Sequence, residues 1–277
     1  MSSQNPRHDP GPAFRALHRP GNPFILVNVW DQGSARMMAA MGAEALGTSS
    51  VAHAFTLGRR DRGTIHRDEA LAHAASLVAA TGLPVSGDFE NGFGDDPDTC
   101  AETVRLAAEA GLAGISIEDT RPPAKTSYDF DLAVERIKAA AAAARALKRD
   151  FVLVARADGI LTGNYDIDEA LKRLKAFDQA GADCLYAPMP KTPEDLRCIC
   201  QSSEKPVNAL AAGPYAKLPR TEFARLGVGR ISIGGALARK THQIIHEAGK
   251  AMLDRGDFST MASSLPAATI DDMMQKD

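Results

Sequence analysis

Short apolar runs alternate with longer amphipathic segments along most of the chain. The segments between the apolar runs follow a helical period, and several begin at a polar cap before proline and end at glycine, as in Asp96-Pro97 and Ala180-Gly181. Strands that alternate with helices predict a parallel sheet with helical crossovers. Eight runs have the length and composition of buried strands: Phe24–Asn28, Ala45–Ser49, Pro84–Asp88, Gly114–Glu118, Phe151–Arg156, Cys184–Ala187, Pro206–Leu210 and Arg230–Ile233.

Eight strand–helix units in about 250 residues are typical of an α/β fold of the (β/α)8 TIM-barrel type. The rival architecture, an open doubly wound sheet, usually has a glycine-rich dinucleotide turn after its first strand. Here the first strand runs into Asn28-Val29-Trp30-Asp31, which is not such a turn. We therefore predict a barrel over residues 21–255 between a flexible segment, 1–20, and a helical tail, 256–277. The tail packs either on its own barrel or, exchanged, on a neighbouring subunit.

Composition narrows the classes of partner. The 277 residues include 32 basic and 35 acidic side chains. This balance lacks the excess of basic residues that is typical of proteins that bind nucleic acids or anionic membrane surfaces. The four cysteines form no zinc-type pairs, which is typical of a reduced intracellular protein. The first 20 residues lack the apolar core of a signal peptide, and no apolar run could span a bilayer. We expect a cytoplasmic protein.

The strongest chemical signal is a pair of acids, Asp88 and Glu90, at the end of the third apolar run. Residues two apart in a strand point to the same side, so the two carboxylates can converge. Like charges this close need a cation or a proton between them, and a hard divalent ion is the simplest partner. Glu118 ends the next run in the same way. The alternative is an ion-pair network with Arg156, but three carboxylates outnumber that one arginine.

Other polar residues follow the predicted strands at the end where barrel chemistry belongs. They are Asn28, Asp31, Ser49, Ser50, Asp119, Arg156, Asp158 and Asn208. Asn208 either faces a substrate or bonds to strand backbone, and Asp119 is expected to orient a neighbour. Asp61 lies among three arginines and is either a solvated turn residue or an outer metal ligand.

Several motifs in order along Phe24 to Arg239 resemble the isocitrate lyase/phosphoenolpyruvate mutase superfamily. They are Asn28-Val29-Trp30-Asp31, Gly47-Thr48-Ser49-Ser50, Leu57-Gly58-Arg59-Arg60-Asp61, Asp88-Phe89-Glu90-Asn91-Gly92-Phe93-Gly94, Ile117-Glu118-Asp119 and Ala155-Arg156-Ala157-Asp158. The resemblance implies a TIM barrel, Mg²⁺ (with Mn²⁺ as a possible substitute), small 2-oxo or 2-hydroxy acid substrates, and homotetramers that often exchange the last helical segment.

The resemblance also suggests a role for individual positions. The metal positions are Asp61, Asp88, Glu90 and Glu118, and Glu90 stands where the family usually has aspartate. The substrate positions are Trp30, Ser49, Ser50, Asp88, Arg156 and Asn208. The catalytic positions are Arg156, Glu118 and Lys125, where Arg156 neutralises a developing enolate or carboxylate. Lys125 is interpreted as part of a gating loop, with a mobile surface lysine as the alternative.

Two departures restrict the activity that the resemblance implies. The loop after Glu118-Asp119 lacks the Lys-x-Cys-Gly-His motif of isocitrate and methylisocitrate lyases, and the sixth strand ends in apolar Tyr186-Ala187-Pro188. Lys125-Thr126-Ser127 is similar to the gating loop of phosphoenolpyruvate mutase but lacks its asparagine. We expect a Mg²⁺-dependent carbon–carbon lyase that is neither of those two lyases. A phosphonate mutase, an oxaloacetate decarboxylase and a non-catalytic dicarboxylate binder remain open.

Overall fold

The computed structural model describes residues 9–275, and its eight parallel barrel strands close in the order β1-β10-β9-β8-β7-β4-β3-β2. The two remaining strands, β5 and β6, form an antiparallel hairpin after β4. The predicted (β/α)8 TIM barrel is confirmed. The strands are β1 Phe24–Asn28, β2 Ala45–Gly47, β3 Val85–Asp88, β4 Gly114–Glu118, β5 Thr120–Arg121, β6 Thr126–Ser127, β7 Val152–Arg156, β8 Cys184–Tyr186, β9 Val207–Leu210 and β10 Arg230–Ser232.

Helices occupy the connections between the strands. Polar caps start several of them, as where the side chain of Asp166 accepts a hydrogen bond from the Glu169 backbone. The α-helices are α1 Gly11–Leu17, α2 Gln32–Ala40, α3 Ser50–Thr56, α4 Arg67–Ala80, α5 Pro97–Glu109, α6 Phe130–Ala146, α7 Gly159–Thr162, α8 Ile167–Gln179, α9 Pro193–Gln201, α10 Arg220–Arg225, α11 Ala236–Arg255 and α12 Ala267–Gln275. Short 3₁₀ turns cover Gly213–Lys217 and Ser259–Ser263.

The N-terminal segment closes the bottom of the barrel. Phe14 of α1 is fully buried and meets the ring of Phe24 edge-on, with ring centroids 6.0 Å apart. Arg15 forms ion pairs with Asp150 and Asp183, each at 2.7 Å. Residues 9–20 therefore differ from the flexible segment expected over 1–20, because the barrel floor needs an apolar plug. Residues 1–8 lie outside the described part.

The interior of the barrel changes character from bottom to top. An apolar cluster that includes Phe24, Val152 and Cys184 fills the lower part. Above it, Ser86 and Ser232 present only small hydroxyl side chains toward the axis, and both line a central pocket. Small interior residues leave room for a ligand in a barrel that would otherwise be filled.

The C-terminal tail packs on its own chain in this structure. Helix α12 lies against α2, where Arg36 donates a hydrogen bond to the Met274 carbonyl at 2.8 Å. No residue of α12 is buried, so this contact is shallow. Exchange of the tail between subunits stays a prediction. Within residues 9–275, no helix is both long and apolar enough to cross a bilayer.

Candidate active site

A pocket of about 270 Å³ opens at the end of the barrel where the strands terminate. It reaches from loop residues at the mouth down to side chains in the middle of the strands. The charged residues that line it are Asp61, Asp88, Glu90, Glu118 and Asp158 together with Arg62, Arg156, Arg230 and Arg239. All four predicted metal positions therefore face one cavity.

Arg156, at the end of β7, contacts three carboxylates at once. Its Nη1 donates to Asp88 Oδ1 at 2.8 Å, and its Nη2 lies 3.1 Å from Glu118 Oε2. Its Nε and Nη2 donate to the two oxygens of Asp158 at 3.1 and 2.8 Å. Burial alone would lower the pKa of Arg156, but Asp158, Glu118 and Asp88 outweigh it and raise that pKa well above its usual value.

Asp88 is held from its other side by the start of α3. Its Oδ2 accepts hydrogen bonds from the Ser50 backbone N–H at 3.0 Å and from the Ser50 hydroxyl at 2.9 Å. The Asp88 N–H donates to Thr48 Oγ1 at 2.7 Å. Ser49 caps α3, accepting from Ala52. Both predicted substrate serines thus line the pocket, and Ser50 positions the central carboxylate.

Glu90 reaches the pocket by a different route from the one predicted. Strand β3 ends at Asp88, and Glu90 follows in a turn with φ of +44°. Its two carboxylate oxygens each accept a hydrogen bond from Gly63 N–H at 3.1 Å. Burial, reinforced by the nearby charges of Asp88 and Asp61, raises the pKa of Glu90 to about 7 in spite of the Gly63 bond. The same-side argument from strand geometry was wrong here, although the two acids do share the pocket.

Glu118 is, like Glu90, a buried member of the four predicted metal acids. It is buried at the end of β4, and Thr120 Oγ1 donates to its Oε1 at 3.0 Å. Burial raises its pKa well above the usual value, and the charge of Asp158 adds to that effect. The acids therefore crowd around Arg156 with more negative charge than that guanidinium neutralises.

Three predicted site residues are not brought to the pocket. The residues that line it, within the part of the chain described, include neither Trp30 nor Lys125 nor Asn208. Trp30 is half-buried and its carbonyl accepts from His73, while Lys125 is exposed in the β5–β6 hairpin. Asn208 is fully buried and its side chain bonds to side chains of β10 and not to strand backbone.

Two residues of the pocket, Asp158 and Arg230, were not predicted from the sequence to have a specific role. Asp158 stands out among the strand-end residues only by its spacing from Arg156, and the structure makes it that arginine's main partner. Its backbone N–H donates to Asp119 Oδ1 at 2.8 Å, which confirms the orienting role expected of Asp119. Arg230 begins a predicted strand; a charged residue at the start of a buried parallel strand was the available clue.

The carboxylates fit a divalent cation that keeps much of its water. Among residues 9–275, no group of three or more acidic, histidine or cysteine side chains is preassembled to hold a metal ion. Mg²⁺ commonly uses only one or two carboxylates and fills its remaining positions with water and substrate oxygens. Four acids that face one pocket and outnumber Arg156 supply the hard oxygen donors that such an ion prefers.

Comparison with known proteins decides the family. A family model described as phosphoenolpyruvate phosphomutase matches residues 14–253, nearly the whole barrel. This chain belongs to the isocitrate lyase/phosphoenolpyruvate mutase superfamily. Members of that superfamily are Mg²⁺-dependent carbon–carbon lyases or mutases that act on small acids.

Several known proteins are similar to this chain in sequence or in structure. A crystal structure named as a lyase/mutase from Burkholderia cenocepacia J2315 is 46% identical, has a TM-score of 0.91 and covers 96% of each chain. An uncharacterized protein of Mycobacterium tuberculosis (strain ATCC 25618 / H37Rv) is 33% identical over 80% of this chain and 81% of its own. The oxaloacetate decarboxylase of Ectopseudomonas mendocina (strain ymp) is 31% identical over 83% and 80%, respectively.

Proposed function

We propose that this protein is a Mg²⁺-dependent lyase that breaks a carbon–carbon bond in a small 2-oxo or 2-hydroxy dicarboxylate. The observation that carries the proposal is the contact of one guanidinium, Arg156, with three carboxylates at the mouth of the barrel. Asp61, Asp88, Glu90 and Glu118 would hold the ion, with Asp88 as the direct ligand. Mn²⁺ has the same preference for oxygen ligands and is the natural substitute.

When bound, the ion supplies a Lewis acid that polarises the oxygen next to the scissile bond. The chain's own contribution is a fixed positive charge. Asp158 grips two nitrogens of Arg156, and Asp119 in turn holds the Asp158 backbone. The guanidinium is therefore oriented before substrate arrives, and an enolate that develops beside it is stabilised with little reorganisation.

Substrate orientation and exclusion of water fall to the residues around that guanidinium. Ser50 and Thr48 fix Asp88, and Glu118 holds the opposite side of Arg156. The β5–β6 hairpin lies beside the mouth, where Pro122 and Pro123 approach Gly63. We propose that this hairpin closes over the substrate and that Lys125 reaches the reacting groups only in the closed form.

Decarboxylation of oxaloacetate is the variant that a specific observation favours. A relative 31% identical over 83% of the chain carries that name. Loss of CO₂ leaves pyruvate enolate, and the loop after Glu118 has no cysteine to serve as a proton donor for a larger leaving group. In a 2-oxo diacid the electrons of the broken bond stay on the retained fragment as an enolate beside Arg156, whereas in a 2-hydroxy diacid C2 becomes a carbonyl and the electrons leave with the departing fragment, which then needs a proton.

Pyruvate release from a panel of 2-oxo and 2-hydroxy diacids tests the proposal. We expect release with Mg²⁺, none with a chelator, and a fall of at least ~10³-fold in the Asp88→Ala variant. Asp168→Ala, a substitution in the first turn of α8 away from the pocket, is the matched control and should keep full activity.

Three outcomes would contradict the proposal. Activity that survives both the chelator and Asp88→Ala would remove the metal-assisted mechanism. Interconversion of phosphoenolpyruvate and phosphonopyruvate seen by phosphorus NMR, without pyruvate release from any diacid, would assign the protein to the mutases instead. Tight oxalate binding without turnover of any substrate would identify a non-catalytic binder.

A further inference from the structure

We propose that Arg230 forms an anion-binding floor of the pocket and selects substrates with a second carboxylate. This inference rests on the proposed function for the identity of the substrate, but not for the existence of the binding site. Arg230 belongs to β10 and is only 4% exposed, yet it lines the same pocket as Asp88 and Arg156. Nothing in the metal-and-enolate chemistry above uses it.

The guanidinium of Arg230 is held but not neutralised. Its Nε donates to Asn208 Oδ1 at 2.9 Å, and its buried Nη1 has no hydrogen-bond partner within residues 9–275. No described carboxylate lies within 4.0 Å of it, whereas Arg156 contacts three. A buried cation without a counter-charge is costly, so a retained one indicates a partner that arrives with the ligand.

The neighbours below and beside Arg230 do not supply that negative charge. Phe14 and Phe24 close the floor, and His18 beside them has its pKa lowered to about 3 by burial and then by Arg230, so the ring is neutral. Burial raises the pKa of the Cys184 thiol to about 11 and that of the Tyr186 hydroxyl to about 12, so both are also neutral. Burial also lowers the pKa of Arg230 itself, and the charge of Asp88, which acts from beyond 4.0 Å, offsets this effect only in part.

The open side of Arg230 faces upward into the pocket. Asn208 fixes the direction of the guanidinium, and its own Nδ2 is anchored by a bond to Ser232 Oγ at 2.9 Å. The hydroxyl side chains of Ser86 and Ser116 line the same cavity and leave space beside the barrel axis. Asn208 is therefore a positioning residue that acts through Arg230.

The depth of the site sets the class of ligand. Arg230 begins β10 near the apolar floor, whereas Gly234 and Gly235, beyond the end of that strand, line the pocket at its mouth. A short diacid can place one carboxylate among the metal acids and Arg156 while its other carboxylate extends down toward the Arg230 side chain. A monoacid of equal length would leave the lower guanidinium without a partner.

Calorimetric titration with succinate and butyrate tests this assignment without any turnover. The two acids have the same chain length, and only succinate carries a second carboxylate. In low-chloride buffer with Mg²⁺, we expect succinate to bind roughly tenfold or more tightly than butyrate, as a charged hydrogen bond would require. Arg230→Met should reduce succinate binding to the butyrate level, and Arg230→Lys should retain part of the difference.

Oxalate serves as the folding control, since it is short enough to occupy the upper site alone. Its affinity should stay within about threefold of wild type in Arg230→Met, which would show an intact mouth. Equal affinity of the wild-type protein for succinate and butyrate would overturn the assignment even if no variant folds. So would an unchanged preference in Arg230→Met. If the protein prefers succinate to butyrate but has no lyase activity, that result would refute the proposed function and not the anion-binding role of Arg230.

Discussion

At the scale of single residues, the carboxylates around Arg156 are the basis of the proposed cation site. Asp88, Glu118 and Asp158 share one guanidinium, and Glu90 and Asp61 add further negative charge to the same cavity. The sequence showed most of these acids because they follow strands. It did not show that Glu90 leaves the strand at a left-handed turn, since the φ of +44° depends on the fold around Gly63.

Replacement of Arg156 by lysine should lower kcat by ~10²–10³-fold, because a point charge cannot reproduce the planar contacts with the developing enolate. The comparison variant is Arg197→Lys, which changes an exposed surface pair on α9. Steady-state kinetics on the preferred diacid measure both. Equal rates for Arg156→Lys and wild type would contradict the role given to this side chain.

Glu90 makes the stability of the metal-free protein depend on pH. Its pKa is about 7 in the fold and near 4.5 when unfolded, so the folded state binds more protons between these values. The free energy of unfolding should therefore fall as pH rises from about 4.5 to 7, by about 3 kcal/mol at most from this group. Urea unfolding with a chelator present should show a smaller fall in Glu90→Gln. Parallel pH profiles for the two proteins would count against the raised pKa.

At the scale of elements, the strands were predictable and the functional direction of several side chains was not. Eight apolar runs located the barrel strands because fully buried parallel strands need continuous apolar sequence. Trp30 follows the end of β1, where its backbone carbonyl accepts from His73, and Asn208 lies within β9, where its side chain bonds to Arg230 and Ser232. The pattern of residue types along the chain predicts where a strand lies. The direction of a side chain depends on the residues it contacts, and these come from segments far away in the sequence.

The sequence did not predict that helix α1 closes the floor of the barrel. The contribution of this helix to stability can be tested by removing its buried ring. Phe14→Ala should lower the free energy of unfolding by about 3–5 kcal/mol, because a fully buried ring is lost beneath the barrel. Ala16→Ser, on the exposed side of the same helix, should change it by less than about 0.5 kcal/mol. Urea denaturation gives both values. A loss below about 1 kcal/mol for Phe14→Ala would mean that α1 is not part of the core.

At the scale of the whole molecule, the apolar surface around the last helices points to self-association. Large apolar residues are exposed along α11 and just after it: Ile244, Ile245, Leu253, Phe258 and Met261. Contiguous exposed apolar residues usually mark an interface. We propose a homotetramer, in which this surface is covered by another copy of the chain.

The tetramer can be checked by mass in solution. Light scattering should give four times the chain mass of 29.4 kDa for wild type, and a lower mass for Ile245→Glu, since a charge would be buried at the interface. Lys250→Glu, a charge change at an already exposed position of α11, should leave the tetramer intact. A wild-type mass equal to one chain would rule out this assembly.

The most direct measurement is a crystal structure of the protein grown with Mg²⁺ and oxalate, a mimic of pyruvate enolate. We predict density for an ion among Asp61, Asp88, Glu90 and Glu118, with oxalate between the ion and Arg156. Crystals that bind neither, with Asp88 and Glu118 still paired to Arg156 at saturating Mg²⁺, would show that the acids serve only a structural ion-pair network.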